Sequence, residues 1–125
     1  WMVDDDREIL NAVRLMLRLL DYDTRAFHDA RSAARAIMDG ERPDLFLLDI
    51  SMPEVSGVDL LEYIRRRHDC NQIPVLMISA DTTDVQVDQA MALGADGYLF
   101  KPVSLEELET AIAGGMESRI SKKSF

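Results

Sequence analysis

Asp4-Asp5, Asp49, Ser79 and Lys101 stand far apart in the chain, yet each directly follows a short apolar run. The runs are Trp1 to Val3, Leu45 to Leu48, Val75 to Ile78, and Gly97 to Phe100. Segments this short and this apolar read as strands of a parallel sheet covered on both faces. Parallel strands carry their carboxyl ends to one edge, so these side chains converge there whatever their separation in sequence. Carboxylates brought together repel, and each favours its proton unless a cation is present. A hard divalent cation resolves the conflict, and Mg²⁺ suits carboxylate oxygens with several retained waters. Lys101 adds a mobile point charge able to meet a carboxylate or a phosphoryl oxygen. A carboxylate beside Mg²⁺, with a hydroxyl and an ammonium in reach, is equipment for phosphoryl transfer. Asp49 is then the nucleophile that forms an acyl phosphate. The metal and Lys101 neutralise the equatorial oxygens, and Ser79 donates a hydrogen bond to the attached group. Neither G-x-x-x-x-G-K-[ST] nor G-x-G-x-x-G occurs, so nothing points to a nucleotide held by this chain.

These ends need elements to hold them. Leu10, Val13, Leu17 and Leu20 recur at helical steps and predict a helix from Arg7 to Leu20 with one buried stripe. Thr24 to His28 fits a short strand, and Ala30 to Met38 a helix stopped by Gly40. Val58 to Arg67 is helical by spacing, with Leu61 and Ile64 inward and Glu62, Arg65 and Arg66 toward water. Thr82 or Thr83 can cap a helix that runs to Leu93 and closes at Gly94. Ser104 with Glu107 has capping-box spacing and opens a last helix, which Gly114-Gly115 weakens by about 1 kcal/mol per glycine. Five strands thus alternate with five helices, which calls for a single doubly wound α/β domain over residues 1–117. Residues 118–125, with Arg119, Lys122 and Lys123, read as a tail or the start of a linker to an output region. The Trp1-Met2-Val3 stub reads as a trimmed start.

Composition narrows the classes. The chain has 125 residues, 47% hydrophobic, with 14 Lys+Arg against 23 Asp+Glu and a formal charge of -9. Such a surface repels nucleic-acid phosphates, which argues against direct nucleic-acid binding by this domain. No apolar run approaches the roughly 20 residues of a membrane span, and no signal peptide opens the chain. A cytoplasmic location follows, in keeping with a lone cysteine. Cys70 reads as an inert loop thiol, His28 and His68 as surface residues, and Met16, Met38 and Met77 as core filler.

Four motifs in order and at fitting spacing make the chain resemble the receiver domain of two-component response regulators. They are Val3-Asp4-Asp5-Asp6, the segment Leu47 to Gly57 around Asp49, Ile78-Ser79-Ala80, and Gly94 to Pro102. The resemblance covers essentially the whole chain. It implies a flavodoxin-like (βα)5 fold with strand order 2-1-3-4-5. It also implies that Asp49 accepts a phosphoryl group from a sensor histidine kinase or phosphotransfer protein. Asp4, Asp5, Asp49 and the backbone carbonyl of Ser51 would hold Mg²⁺, with Mn²⁺ as a substitute. Asp5 matches the position that binds directly, and Asp4 the one that acts through water. Ser79 and Tyr98 match the family's switch pair, and Lys101-Pro102 its cis peptide. Ser51 and Asp81 stand where the family tunes phosphoryl lifetime. The face built from residues 84–118 would then change shape and regulate an effector domain or target protein, and a phosphorylation-dependent homodimer is compatible with this. In that reading the chain catalyses its own phosphorylation and dephosphorylation without being a dedicated enzyme.

Rival readings are weaker. Asp4-Asp5-Asp6 could merely cap the first helix. A haloacid-dehalogenase-type phosphatase needs a second acid two residues after the nucleophile, where this chain has Ser51. A pseudo-receiver would not need Asp49, Ser79 and Lys101 together. A flavodoxin needs a hydroxyl-rich phosphate loop where this chain has three acids.

Overall fold

The apolar runs pair as their composition requires. In the computed structural model, which describes residues 1–80 and 84–123, they form one five-stranded parallel sheet in the order β2-β1-β3-β4-β5. The elements in sequence are β1 (Met2–Val3), α1 (Arg7–Leu19), β2 (Ala26–Phe27), α2 (Ala30–Met38), β3 (Phe46–Asp49), α3 (Gly57–Arg66), β4 (Val75–Ser79), α4 (Asp84–Ala92), β5 (Gly97–Phe100) and α5 (Leu105–Lys123). The flavodoxin-like order expected from the sequence is therefore the observed one.

Alternation along the strands divides the interior into two cores. Val3, Phe46, Leu48, Val75 and Met77 face α2 and α3, packing on Ala33, Ile37, Leu61 and Ile64. Met2, Leu47, Leu76, Ile78 and Leu99 face the other way, against Leu10, Val13 and Leu17 of α1 and Leu108 and Ile112 of α5. All four residues of β3 and all five of β4 are buried, which explains why these strands show no polar alternation. The register sets Asp49 beside Ile78 and Ser79 beside Phe100, so the three carboxyl ends finish level.

Several expectations are corrected. The last helix does not yield to a linker at Ser118; it continues to Lys123, and Arg119 is buried against Asp96 at 2.6 Å. Gly115 sits where α5 packs on β4: a Cβ there would lie 2.9 Å from Leu76 Cδ2. Arg65 does not face water but bonds to Asp96 and to the carbonyl oxygens of Gly94 and Ile73. Met38 is 70% exposed and fills no core, whereas Met77 is fully buried. Cys70 is a loop thiol as expected, in the turn after α3, but it is buried against the α2–α3 core, where burial pushes its pKa up and keeps it inert. The cap expected at Thr82 or Thr83 lies outside the described residues.

Candidate functional site

The chain turns sharply after β1, and the three acids there divide their work. Asp6 caps α1, its carboxylate accepting from the amides of Glu8 at 2.9 Å and Ile9 at 3.3 Å. Capping is thus a real role, but of Asp6 alone. Asp4 is fully buried, with Oδ1 accepting the Asp6 amide at 2.9 Å. Asp5 is exposed at the rim. Each of Asp4, Asp5 and Asp49 offers a carboxylate oxygen within 4.8 Å of the others.

Asp49 ends β3 with 2% of its surface exposed. Lys101, just past β5, reaches both deep acids: its Nζ lies 3.0 Å from Asp4 Oδ2 and 3.3 Å from Asp49 Oδ1. The Lys101-Pro102 peptide is cis, and the Lys101 amide donates to Ser79 O at 2.9 Å. Ser79 is fully buried at the end of β4, on the same edge. Ser51 lies exposed in the loop after β3, its amide 3.4 Å from Asp49 Oδ1. Tyr98 is half-buried on β5, one turn of the pleat from Phe100, with ring centroids 5.0 Å apart. Asp81 lies outside the described residues.

Gly57 is the positioning residue that the sequence did not single out. A Cβ at that position would lie 2.0 Å from the backbone oxygen of Asp49, so the start of α3 presses directly on the end of β3. The Gly57 amide donates to Ile50 O at 3.1 Å and closes the Ser51–Ser56 loop. Ser56 and Asp59 then cap α3 reciprocally. Only the apolar run before Asp49 and the Ser-Gly step after the loop hinted at this.

Three carboxylates face one ammonium, and the imbalance is visible in their chemistry. Burial first, and the Asp4 charge second, push the Asp49 carboxyl up to about 7, with Lys101 pulling the other way. Burial works against the Lys101 ammonium, but its bonds and charge contacts with Asp4 and Asp49 raise its pKa. All-oxygen donors carrying an excess negative charge fit a hard divalent cation. The sign of the pH effect follows. With a folded pKa above the unfolded one, Asp49 favours the folded state at low pH, and that stability is lost as pH rises toward about 7. Asp49→Asn should therefore raise the melting temperature of the metal-free protein more at pH 8 than at pH 5. Thermal melts in EDTA measure this, and equal gains at both pH values would contradict it.

A family model described as the response regulator receiver domain matches residues 1–113. The transcriptional regulatory protein CpxR of Klebsiella pneumoniae is 36% identical over 111 residues, covering 89% of this chain and 46% of that protein. The response regulator protein PilR of Pseudomonas aeruginosa is 36% identical over 118 residues, covering 94% of this chain and 26% of that one. The chain thus spans about half or less of the curated relatives it matches. Among solved structures, the chemotaxis protein CheY4 of Vibrio cholerae superposes with a TM-score of 0.82 at 28% identity, covering 91% of this chain and 94% of that one.

Proposed function

The chain belongs to the response regulator receiver domain family of two-component systems, and from that premise we propose that Asp49 is its phosphoacceptor, with Lys101 and Ser79 completing the site. The observation that carries this is the Lys101 ammonium set between Asp4 at 3.0 Å and Asp49 at 3.3 Å, where three parallel strands end together. Asp4, Asp5 and Asp49, with the Ser51 carbonyl, would hold Mg²⁺ or Mn²⁺; the cation would supply positive charge against the phosphoryl oxygens. In the reaction an Asp49 carboxylate oxygen attacks phosphorus of a phosphohistidine, and the histidine nitrogen leaves. Asp49 must be ionised to attack, so a raised pKa makes the free site sluggish until positive charge gathers beside it. Lys101 holds the carboxylate in place before transfer and then pairs with a phosphoryl oxygen. Ser79 donates to another, and Tyr98 turns toward the space that Ser79 leaves. Hydrolysis of the acyl phosphate resets the switch, and Ser51 and Asp81 occupy the positions that tune its lifetime.

The partners are a sensor histidine kinase or phosphotransfer protein upstream and, through the face of residues 84–118, an effector domain or target downstream. The receiver unit takes in α5 beyond residue 117, because Ser118 and Arg119 bond to Asp96 and Arg119 is buried. No helix among the described residues is long and apolar enough to cross a membrane, which fits a cytoplasmic relay. The test is intact mass after incubation with acetyl phosphate, with and without Mg²⁺. Wild type should gain one labile phosphoryl group only when Mg²⁺ is present, and Asp49→Asn should gain none. A folded, metal-binding wild type that stays unmodified would sink the proposal in favour of a docking module.

A further inference from the structure

The loop that leads away from Asp49 is anchored twice. Met52 is buried in the α2–α3 core, and the Gly57 amide returns to Ile50 O at 3.1 Å. Between those anchors the chain has to reverse, and it does so around a single residue. The Val55 amide donates to Pro53 O at 2.8 Å across Glu54, whose φ is 67°. A bond spanning one residue at positive φ is the rarer, strained form of the γ-turn. Among the described residues, only Asp21 and Glu54 take a positive φ without being glycine. Asp21 has an ordinary reason. It follows α1, with its own amide on Arg18 O at 3.0 Å and the Tyr22 amide on Leu17 O at 2.9 Å, a pair of bonds that ends many helices in the left-handed region. The short Asp side chain also tolerates that region. Glu54 ends no helix and has the longer side chain. Its carboxylate meets Arg31 of α2 at 3.6 Å between exposed groups, a contact too weak to offset the turn. The strain is therefore held by the two anchors.

Closure of the loop depends on this turn. With Glu54 at negative φ the chain no longer reverses between Met52 and Gly57, so Met52 must leave its core site or the Gly57 bond to Ile50 must break. Either change shifts Ser51, which stands between Ile50 and Met52 with its amide 3.4 Å from Asp49 Oδ1. A cation that uses the Ser51 carbonyl binds the closed loop, and its apparent affinity is reduced by the fraction of molecules whose loop is open. We propose that Glu54 is a positioning residue that sets this fraction. Its strained turn keeps the Ser51–Ser56 loop near a balance of open and closed, so the metal site is only partly formed until the cation closes it. The inference rests on the assignment of the Ser51 carbonyl to the metal.

Three substitutions separate the backbone from the side chain. Glu54→Gly accepts φ of either sign. Glu54→Gln keeps the backbone preference and removes the charge. Glu54→Val adds a β-branch, which tolerates a positive φ least. Melting temperature in EDTA reads the strain, and calorimetric titration with Mg²⁺ reads the site. Glu54→Gly should melt about 3 °C above wild type, net of the freedom that glycine adds to the unfolded chain. It should bind Mg²⁺ about threefold more tightly, because more of its loops are closed beforehand. Glu54→Val should melt lower and bind about fivefold more weakly. Glu54→Gln should match wild type in both, since the pair with Arg31 is exposed. A Glu54→Gly protein that melts higher but binds Mg²⁺ no better would make the turn merely structural and overturn the proposal. So would a Glu54→Gln protein that moves with Glu54→Gly, since charge would then be at work. Wild type that binds no Mg²⁺ would sink the metal assignment and this inference with it, whereas equal binding by all four proteins would sink this inference alone.

Discussion

Gly57→Ala should destabilise the protein by about 3 kcal/mol, near the upper end of the usual range for overpacking. The added methyl carbon would lie 2.0 Å from the Asp49 carbonyl oxygen, 2.8 Å from its carbon and 3.1 Å from Ile50 Cα. All three are backbone atoms of the buried end of β3 and the residue after it, so no side chain can swing aside. Relief requires α3 to retreat from β3 or the end of β3 to bend, and either movement shifts Asp49 relative to Lys101. The melting temperature should fall by about 10 °C, and Mg²⁺ affinity should fall with it, since the carboxylate cluster depends on where β3 ends. Gly114→Ala is the matched control. No atom lies within 4 Å of that position, so the same chemical change should stabilise α5 by about 0.5 to 1 kcal/mol. Calorimetry on both variants decides the matter. A loss under about 1 kcal/mol at Gly57 would mean that the loop yields cheaply.

The contrast shows which features a sequence can disclose. Strand ends are local: an apolar run followed by Asp49 or Lys101 announces both the strand and the residue placed beyond it, and parallel topology then gathers the ends without further information. That is why the meeting of Asp4, Asp5, Asp49 and Lys101 at one edge was legible, whereas the order of the strands came from the family resemblance. Gly57 was not, because a glycine in a loop before a helix looks the same whether or not a backbone presses on it. Arg65 and Arg119 were misread for a related reason. Arg65 looked like a solvated charge near a helix end and Arg119 like part of a tail, and the acid that draws them inward lies 31 and 23 residues away. Met38 shows the converse: an apolar residue at the end of a short helix fits a core stripe by spacing, yet the helix stops before the core reaches it.

Asp96→Ala is expected to cost about 3 to 5 kcal/mol, the toll of removing one partner from a buried charge cluster. Its fully buried carboxylate accepts from Arg65 Nη2 at 2.8 Å, the Val75 amide at 2.9 Å, Ser118 Oγ at 3.0 Å and Arg119 Nε at 2.6 Å. One side chain therefore ties the end of α3, the start of β4 and the last turns of α5 together. Without it, two guanidinium groups remain buried side by side. Burial, and then the Arg119 charge, already lower the Arg65 pKa to about 10 with the acid in place. Against a total stability of roughly 5 to 15 kcal/mol, the loss is a large fraction of the whole. Arg119→Leu in the same chain removes one of the stranded cations, so the double variant should lose less than the sum of the single losses. Denaturant titrations of the four proteins measure that coupling, and strict additivity would show that the arginines are not held by this acid. The cluster sits at the amino ends of β4 and β5, whereas Asp49 and Lys101 lie beyond the carboxyl ends of the strands. Asp96→Ala protein that remains folded at low temperature should therefore still take up one Mg²⁺-dependent phosphoryl group, while the amides of residues 118–123 lose their protection from hydrogen exchange. Loss of both together would mean that the two edges of the sheet act as one unit, with α5 carrying the connection.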